Sequence, residues 1–360
     1  MFLLLSAITA VLECGSIFLG IHLGYGPGGI LSFCLAYQLG NLFPIPFRLD
    51  KKILTLLVWI APTLLCLASL CNSLPLFQWA FYFLMIALLS CIIQSIRTIM
   101  KGKTGTVPKR LSRVVGFMLA PLMAYAPLPL CAACCLIVWI ALKCTSDKNI
   151  PVRSLPPFTK RTLKSSYCHI MLWHQLHYFI YAYGMILFAY QITESSFQTM
   201  IYFACTWLTY LVTEPLLKRL NKACSASPYK PTTIIWGGHT FLLLILLLLP
   251  NVPPFCFILL WILTGFGGGT VFAITALCKK SPAYEDEHLE LAENIGHFVG
   301  TGLAVLWVSI FPQNISCLCY LSALCVVMVI ILTIKSKRNR KETNVYENSN
   351  STNEEFNSKI

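Results

Sequence analysis

The sequence predicts an all-α membrane protein of twelve transmembrane helices, arranged as two pseudo-symmetric six-helix bundles. Three observations predict it. The 360 residues are 57% hydrophobic and 11% charged, and the mean hydropathy is +0.70. A soluble domain carries roughly 25% charged residues, so this chain cannot cover a water-facing surface. The apolar runs are continuous rather than alternating, which excludes a closed β-barrel. Finally, all 27 Lys and Arg fall in alternate gaps between these runs or at the run ends that border those gaps, so a single side of the membrane receives every one of them. A soluble enzyme, a disordered chain and a nucleic-acid-binding domain are excluded. The net charge of +13 belongs to loops at the cytoplasmic surface, and no nucleic-acid partner is expected.

A helix needs about 20 apolar residues to cross ~30 Å of hydrocarbon. Such runs occur at 2–23, 27–47, 53–71, 75–96, 108–126, 128–146, 169–191, 195–217, 232–250, 254–278, 291–311 and 315–334. The opening MFLLLSAITA has no basic segment before it, so the first run is expected to stay as a span. Between Arg113 and Lys143 lie 29 uncharged residues, too many for one helix and few for two. Pro127 and Pro129 offer a turn in the middle. Only the two-span reading puts all 27 basic residues on one side, so a hairpin is expected there. By the positive-inside rule both termini are then cytoplasmic. The cell membrane is the expected location, with the protein a monomer in the lipid bilayer.

The chain divides into an N-terminal bundle at 1–146, a basic central loop at 147–168, a C-terminal bundle at 169–334 and a polar tail at 335–360, which reads as disordered. A short repeat links the halves. Arg48-Leu49-Asp50-Lys51 follows the second span and Arg219-Leu220-Asn221-Lys222 the eighth, 171 residues apart.

Six plus six helices, a basic central loop and cytoplasmic termini resemble the major facilitator superfamily across residues 1–334. The segment LAYQLGNLFPIPFRLDKKILTL is similar to that family's signature between helices 2 and 3: Gly, three residues, Asp, a basic residue, any residue, Gly, two basic residues. Here Gly40, Arg48, Asp50, Lys51 and Lys52 correspond, while the second glycine is absent and the acid is shifted. A narrower similarity, over residues 259–306, is to the battenin-like branch of transporter-fold proteins. It rests on GFGGGTVFAITAL and EDEHLELAENIGHFVGTGLA. The resemblance implies alternating access, with two halves rocking around a central site. It also implies a gating role for Asp50.

Glu13 is the one acid of fourteen near the middle of a span. An ionised carboxylate there costs about 3 kcal/mol or more, so its presence needs a reason. With no Lys or Arg read at that depth, Glu13 is expected to spend part of its time protonated, as proton coupling requires. Ser6, Thr9, Ala10, Ser16 and Gly20 share its helix side, leaving room for a solute or for close packing. The Thr9 hydroxyl is a candidate partner for the carboxyl. On the seventh span, His174, His177, Tyr178 and Tyr181 share one side, suited to stacking on or hydrogen-bonding a solute, or to interhelical hydrogen bonds. His-x-x-His supplies two ligands, too few for a metal site, and no metal or other cofactor is expected. Gating candidates are Glu293, Asn294 and His297 at the start of the eleventh span, and Glu214, before Pro215, which could tie the eighth span to the basic loop after it. Gly267 and Gly268 on the tenth span serve either as hinge or as packing.

These features favour a secondary transporter of a small organic solute, amphipathic or cationic, coupled to protons, with export an open direction. The scarcity of membrane Arg and Lys speaks against an anionic solute. The alternatives are a membrane-embedded enzyme using His174, His177 and Glu293, and a carrier-like sensor. No nucleophile motif or His-Glu-x-x-His pattern is present, so no enzyme is expected. The 17 cysteines read mostly as apolar filler, though Cys131, Cys134 and Cys135 cluster closely enough for a disulfide.

Overall fold

The computed structural model describes residues 2–44, 51–99, 106–144, 166–224, 230–279 and 286–336. Most of the central loop, the tail and Asp50 with Arg48 lie outside the described residues. Within them the chain forms thirteen α-helices: α1 (Phe2–His22), α2 (Pro27–Leu42), α3 (Lys51–Leu70), α4 (Pro75–Ile99), α5 (Thr106–Leu119), α6 (Pro127–Cys144), α7 (Ser166–Thr193), α8 (Ser196–Ala223), α9 (Pro231–Leu248), α10 (Pro254–Gly268), α11 (Val271–Lys279), α12 (Asp286–Ile310) and α13 (318–336).

Each predicted run holds a helix. Five helices begin on proline (Pro27, Pro75, Pro127, Pro231 and Pro254), whose missing amide hydrogen costs nothing in a first turn. The doubtful stretch between Arg113 and Lys143 is a hairpin. There α5 runs on as a 3-10 segment (Ala120–Ala124) and Pro127 starts α6. Nine of the described stretches are long and apolar enough to cross a membrane. Successive spans run in opposite directions, α10 and α11 counting as one, so the described Lys and Arg start from one end of the bundle, the basic end, opposite an end with no described Lys or Arg, named the neutral end although it carries Glu194.

Three boundaries differ from expectation. α2 stops at Leu42, where Pro44 supplies no amide hydrogen to continue the helical ladder. The tenth run is two helices, because Gly269 and Thr270 form a turn between α10 and α11. Glycine is a poor helix former, and the Thr270 hydroxyl donates to the Gly267 carbonyl at 2.8 Å. Most important for the site, α5 begins at Thr106. This is two residues before the expected run, and Arg110 and Arg113 lie in the first two turns of the helix, where they were expected to turn toward the headgroups.

α1 sits at the centre of the molecule, with 89% of its span buried. It packs on α2, on α5 and, at one point, on α7 of the other half. α12 packs along both α2 and α7, so it joins the halves. α5 and α8 make the second joint, through Phe117 against Phe203 and Trp207 at 5.0 and 5.5 Å. The halves touch at both ends. At the neutral end Tyr125 stacks on Phe197 at 5.9 Å. At the basic end Gln94 Nε2 donates to Glu290 Oε1 at 3.1 Å.

Candidate functional site

The contact between α1 and α5 is built on Gly116. A β-carbon added there would lie 2.1 Å from the Ala7 carbonyl oxygen and 2.8 Å from the Ala10 side chain. Only glycine lets the two backbones approach this closely. The approach puts Ser112 level with Leu3, to whose carbonyl its hydroxyl donates. Arg113 therefore starts about two turns below Glu13, roughly 12 Å along the axis. Side chains leave a helix tilted toward its N-terminus, which brings the Glu13 carboxylate down toward Arg113.

The result is an ion pair inside the bundle. Arg113 Nη2 donates to Glu13 Oε2 at 2.5 Å, with 28% and 12% of the two side chains exposed. This corrects the expectation that no cation reaches Glu13. A long arginine inside a helix can extend toward the interior as well as toward the headgroups. The pair also removes the argument against an anionic solute, since a guanidinium does stand in the interior.

The network continues into the other half. Tyr183 on α7 donates its hydroxyl to Glu13 Oε1 at 3.1 Å, and Gln38 Nε2 on α2 donates to the Tyr183 oxygen at 2.5 Å. Glu13, Gln38 and Tyr183 are all buried. Two atoms of the group have no hydrogen-bond partner: the acceptor Gln38 Oε1 and the donor Arg113 Nε. Four helices, α1, α2, α5 and α7, thus converge on one carboxylate.

Other expected partners of Glu13 are used elsewhere. The Thr9 hydroxyl donates to the Leu5 carbonyl at 2.7 Å, not to the carboxyl. Ser16 donates to the Glu13 carbonyl at 2.9 Å, and Gly20 lies against Ile30 of α2. The small residues on this side serve helix packing at least as much as they leave room.

His174 and His177 belong to a second cluster. They face α9, where His239 joins them, and the three rings lie 5.0–5.4 Å apart between centroids. Tyr178 and Tyr181 pack edge to face at 5.6 Å. The grouping expected from the sequence therefore divides in two. Glu13 meets Tyr183, which lies about 200° around α7 from Tyr181 at 100° per residue. The count of two imidazole ligands is also corrected, since His239 supplies a third.

Glu214 accepts from Arg110 on α5 at 2.8 Å and from Lys218 at 2.8 Å. Glu214 thus holds Lys218, the first basic residue after the expected span, and also reaches the opposite half. His297 Nε2 lies 3.1 Å from Gln175 Oε1, and its ring rests on Phe179 at 4.0 Å. Asn294 donates back to the Glu290 carbonyl at 2.7 Å, and Glu293 lies one turn before His297 and partly exposed. The glycines of α10 pack closely. A β-carbon at Gly265 would meet the Thr206 carbonyl on α8, and one at Gly267 would meet Leu242 on α9. Gly268 faces Tyr178 and Tyr210 with ordinary clearance, 3.6 Å or more. Cys131, Cys134 and Cys135 are buried free thiols.

The Arg110–Glu214 pair is partly exposed, at 30% and 27%, and such pairs contribute about 0–1 kcal/mol. Glu214→Gln is expected to leave thermal unfolding almost unchanged. Its effect should appear as wider separation of α5 and α8 at the basic end, measured by spin-label distances.

No family model and no curated protein matches the chain by sequence. Solved structures do match by fold. A bacterial homologue of the iron transporter ferroportin, in an inward-facing state, is 14% identical, with a TM-score of 0.63, over 93% of this chain and 96% of that one. The peptide transporter POT is 13% identical with a TM-score of 0.62, over 94% of each chain. The D323A mutant of the nucleoside transporter NupG is 15% identical with a TM-score of 0.60, over 93% and 99%. The eleven described helices outside the broken pair, with that pair counted as one span, make twelve spans. The chain is a multi-pass integral membrane protein that shares its fold, the major facilitator fold, with these structures.

Proposed function

We propose that the chain is a secondary transporter of a small polar organic solute, working by alternating access and coupled to protons at Glu13. The observation that carries this reading is the hydrogen-bonded chain Gln38–Tyr183–Glu13–Arg113, which joins the two halves through one buried carboxylate. A carboxylate held between a cation and a hydroxyl has two ways to be neutralised. Arg113 can remain on it, or a proton can replace Arg113 and free the guanidinium. The freed guanidinium is then a donor for an acceptor group on the solute. Gln38 Oε1 and Arg113 Nε, both without partners, offer one acceptor and one donor beside it. Phe117 lies under Arg113 at 5.6 Å and supplies an apolar wall, which suits the amphipathic character expected from the sequence. A purely cationic solute loses its rationale, because Arg113 already balances Glu13. Among the described residues a membrane enzyme gains no support, since the Ser322 hydroxyl beside His177 donates to that residue's backbone carbonyl at 2.8 Å rather than to its ring. The gathering of cations at one end supports a cytoplasmic position for that end and both termini.

The test is flux in proteoliposomes. Radiolabelled nucleosides, dipeptides and organic anions are offered with and without an inward pH gradient. Gradient-dependent accumulation of one class supports the proposal, whereas hydrolysis without vectorial movement supports an enzyme. Tyr183→Phe removes a hydrogen bond to a charged group, worth about 1.5–3 kcal/mol. Its coupled flux is expected to fall roughly tenfold or more while the protein remains folded by size-exclusion chromatography. Full flux in Tyr183→Phe would exclude the cross-half link.

A further inference from the structure

We propose that His174, His177 and His239 form a binding site for a transition-metal ion of the zinc type within the second half of the protein. The site is separate from Glu13 and Arg113. One ring nitrogen from each histidine lies within 4.8 Å of the others, and all three residues are at most 2% exposed. His174 Nδ1 lies 3.0 Å from His239 Nε2 and 3.3 Å from His177 Nε2. Nitrogens bound to a tetrahedral ion at ~2.0–2.1 Å stand about 3.3 Å apart, so these two spacings fit with little movement, and the third pair lies within 4.8 Å.

Hydrogen bonding alone leaves the cluster unsatisfied. His239 Nδ1 lies 2.7 Å from the Ile235 carbonyl, so it carries the proton and donates it there. Nε2 of His239 therefore presents only a lone pair. If His174 keeps its proton on Nε2, two lone pairs face each other at 3.0 Å. If it keeps the proton on Nδ1, that one proton must serve both neighbours. His177 Nδ1 is buried with no partner, so this ring is not held by a complete hydrogen-bond network either. A cation where the three nitrogens converge takes all three lone pairs. The His239–Ile235 bond is then the outer contact that fixes a ligand's tautomer and orientation.

Imidazole ligands suit Zn²⁺ and its neighbours in the transition series. Three protein ligands leave a fourth position for water or an exchangeable group. α7 contributes two ligands one turn apart, and α9 the third. Thr270, at the break between α10 and α11, lies 3.4 Å from His239 Nδ1. An ion would therefore pin α7 to α9 beside the one broken span.

The full-length protein, purified in detergent and stripped with a chelator, is titrated with Zn²⁺ alone and then with Co²⁺ alone. The expected result is saturable binding of one ion per chain, a rise in melting temperature with Zn²⁺, and the intense visible absorption of four-coordinate Co²⁺. His239→Gln, which keeps a polar side chain at the position, is expected to weaken binding at least tenfold, while His22→Gln leaves it unchanged. Equal binding by His239→Gln and the wild type would overturn the proposal. So would a wild type with no saturable Zn²⁺ binding, including one whose cluster only takes up a proton. If His239→Gln fails to fold, the wild-type Co²⁺ spectrum decides alone.

Discussion

Replacing Arg113 with glutamine is expected to abolish coupled flux and to cost about 3 kcal/mol or more in stability, because it leaves the Glu13 carboxylate unpaired in the interior. Glu13→Gln should also abolish coupling, leaving a guanidinium without its acceptor. The informative variant carries both changes. With neither charge present, no desolvated ion remains, and stability should return toward the wild-type value while coupled flux stays absent. Thermal unfolding of the four proteins in detergent gives the coupling energy as a double-mutant cycle. The pair is 2.5 Å long and mostly buried, so the two single losses should not add. Additive losses would mean that the pair does not form in the folded protein.

Gly116→Val is expected to have the largest effect on folding. The added β-carbon would sit 2.1 Å from the Ala7 carbonyl, an atom of the α1 backbone that cannot turn aside. The two helices must separate, and Arg113 then no longer reaches Glu13. Overpacking typically costs about 1–3 kcal/mol, and here the unpaired charges add to it. The expected outcome is a sharp loss of folded protein, measured as the monodisperse fraction after solubilisation. Gly237→Val is the control, since nothing lies within 4 Å of a β-carbon at that position. Equal yields of the two variants would mean that α1 and α5 are not in close contact.

Much of the architecture was legible in the sequence because two independent signals agree. Apolar run lengths located the spans, and the Lys and Arg bracketing them chose between one helix and a hairpin after Arg113. The break at Gly269–Thr270 was hidden, because a glycine-rich run reads equally as a flexible helix or a tightly packed one. Glu13 was legible as a lone mid-span acid. Its partner was not, since Arg113 near the start of a run reads as a headgroup-seeking residue, and only the close approach of α1 and α5 at Gly116 turns it inward. Tyr183 was one tyrosine among several on α7, and only the position of α1 selects it. His239 stands alone in an apolar helix with no motif around it. A single buried imidazole in a span is itself a signal, but its connection to His174, 65 residues away, exists only in the fold.

If proton uptake at the carboxylate shared by the halves exchanges which end of the protein is open, the two ends must move oppositely with pH. Spin labels at Tyr125 and Ile201 report the neutral end, and labels at Leu111 and Leu216 the basic end; all four side chains are exposed. Distances between each pair are measured in nanodiscs across a pH series, in the wild type and in Glu13→Gln. Opposite movements are expected at the two ends as pH falls, one distance growing while the other shrinks, with no pH response in Glu13→Gln. Distances that ignore pH in the wild type, or respond identically in Glu13→Gln, would contradict it.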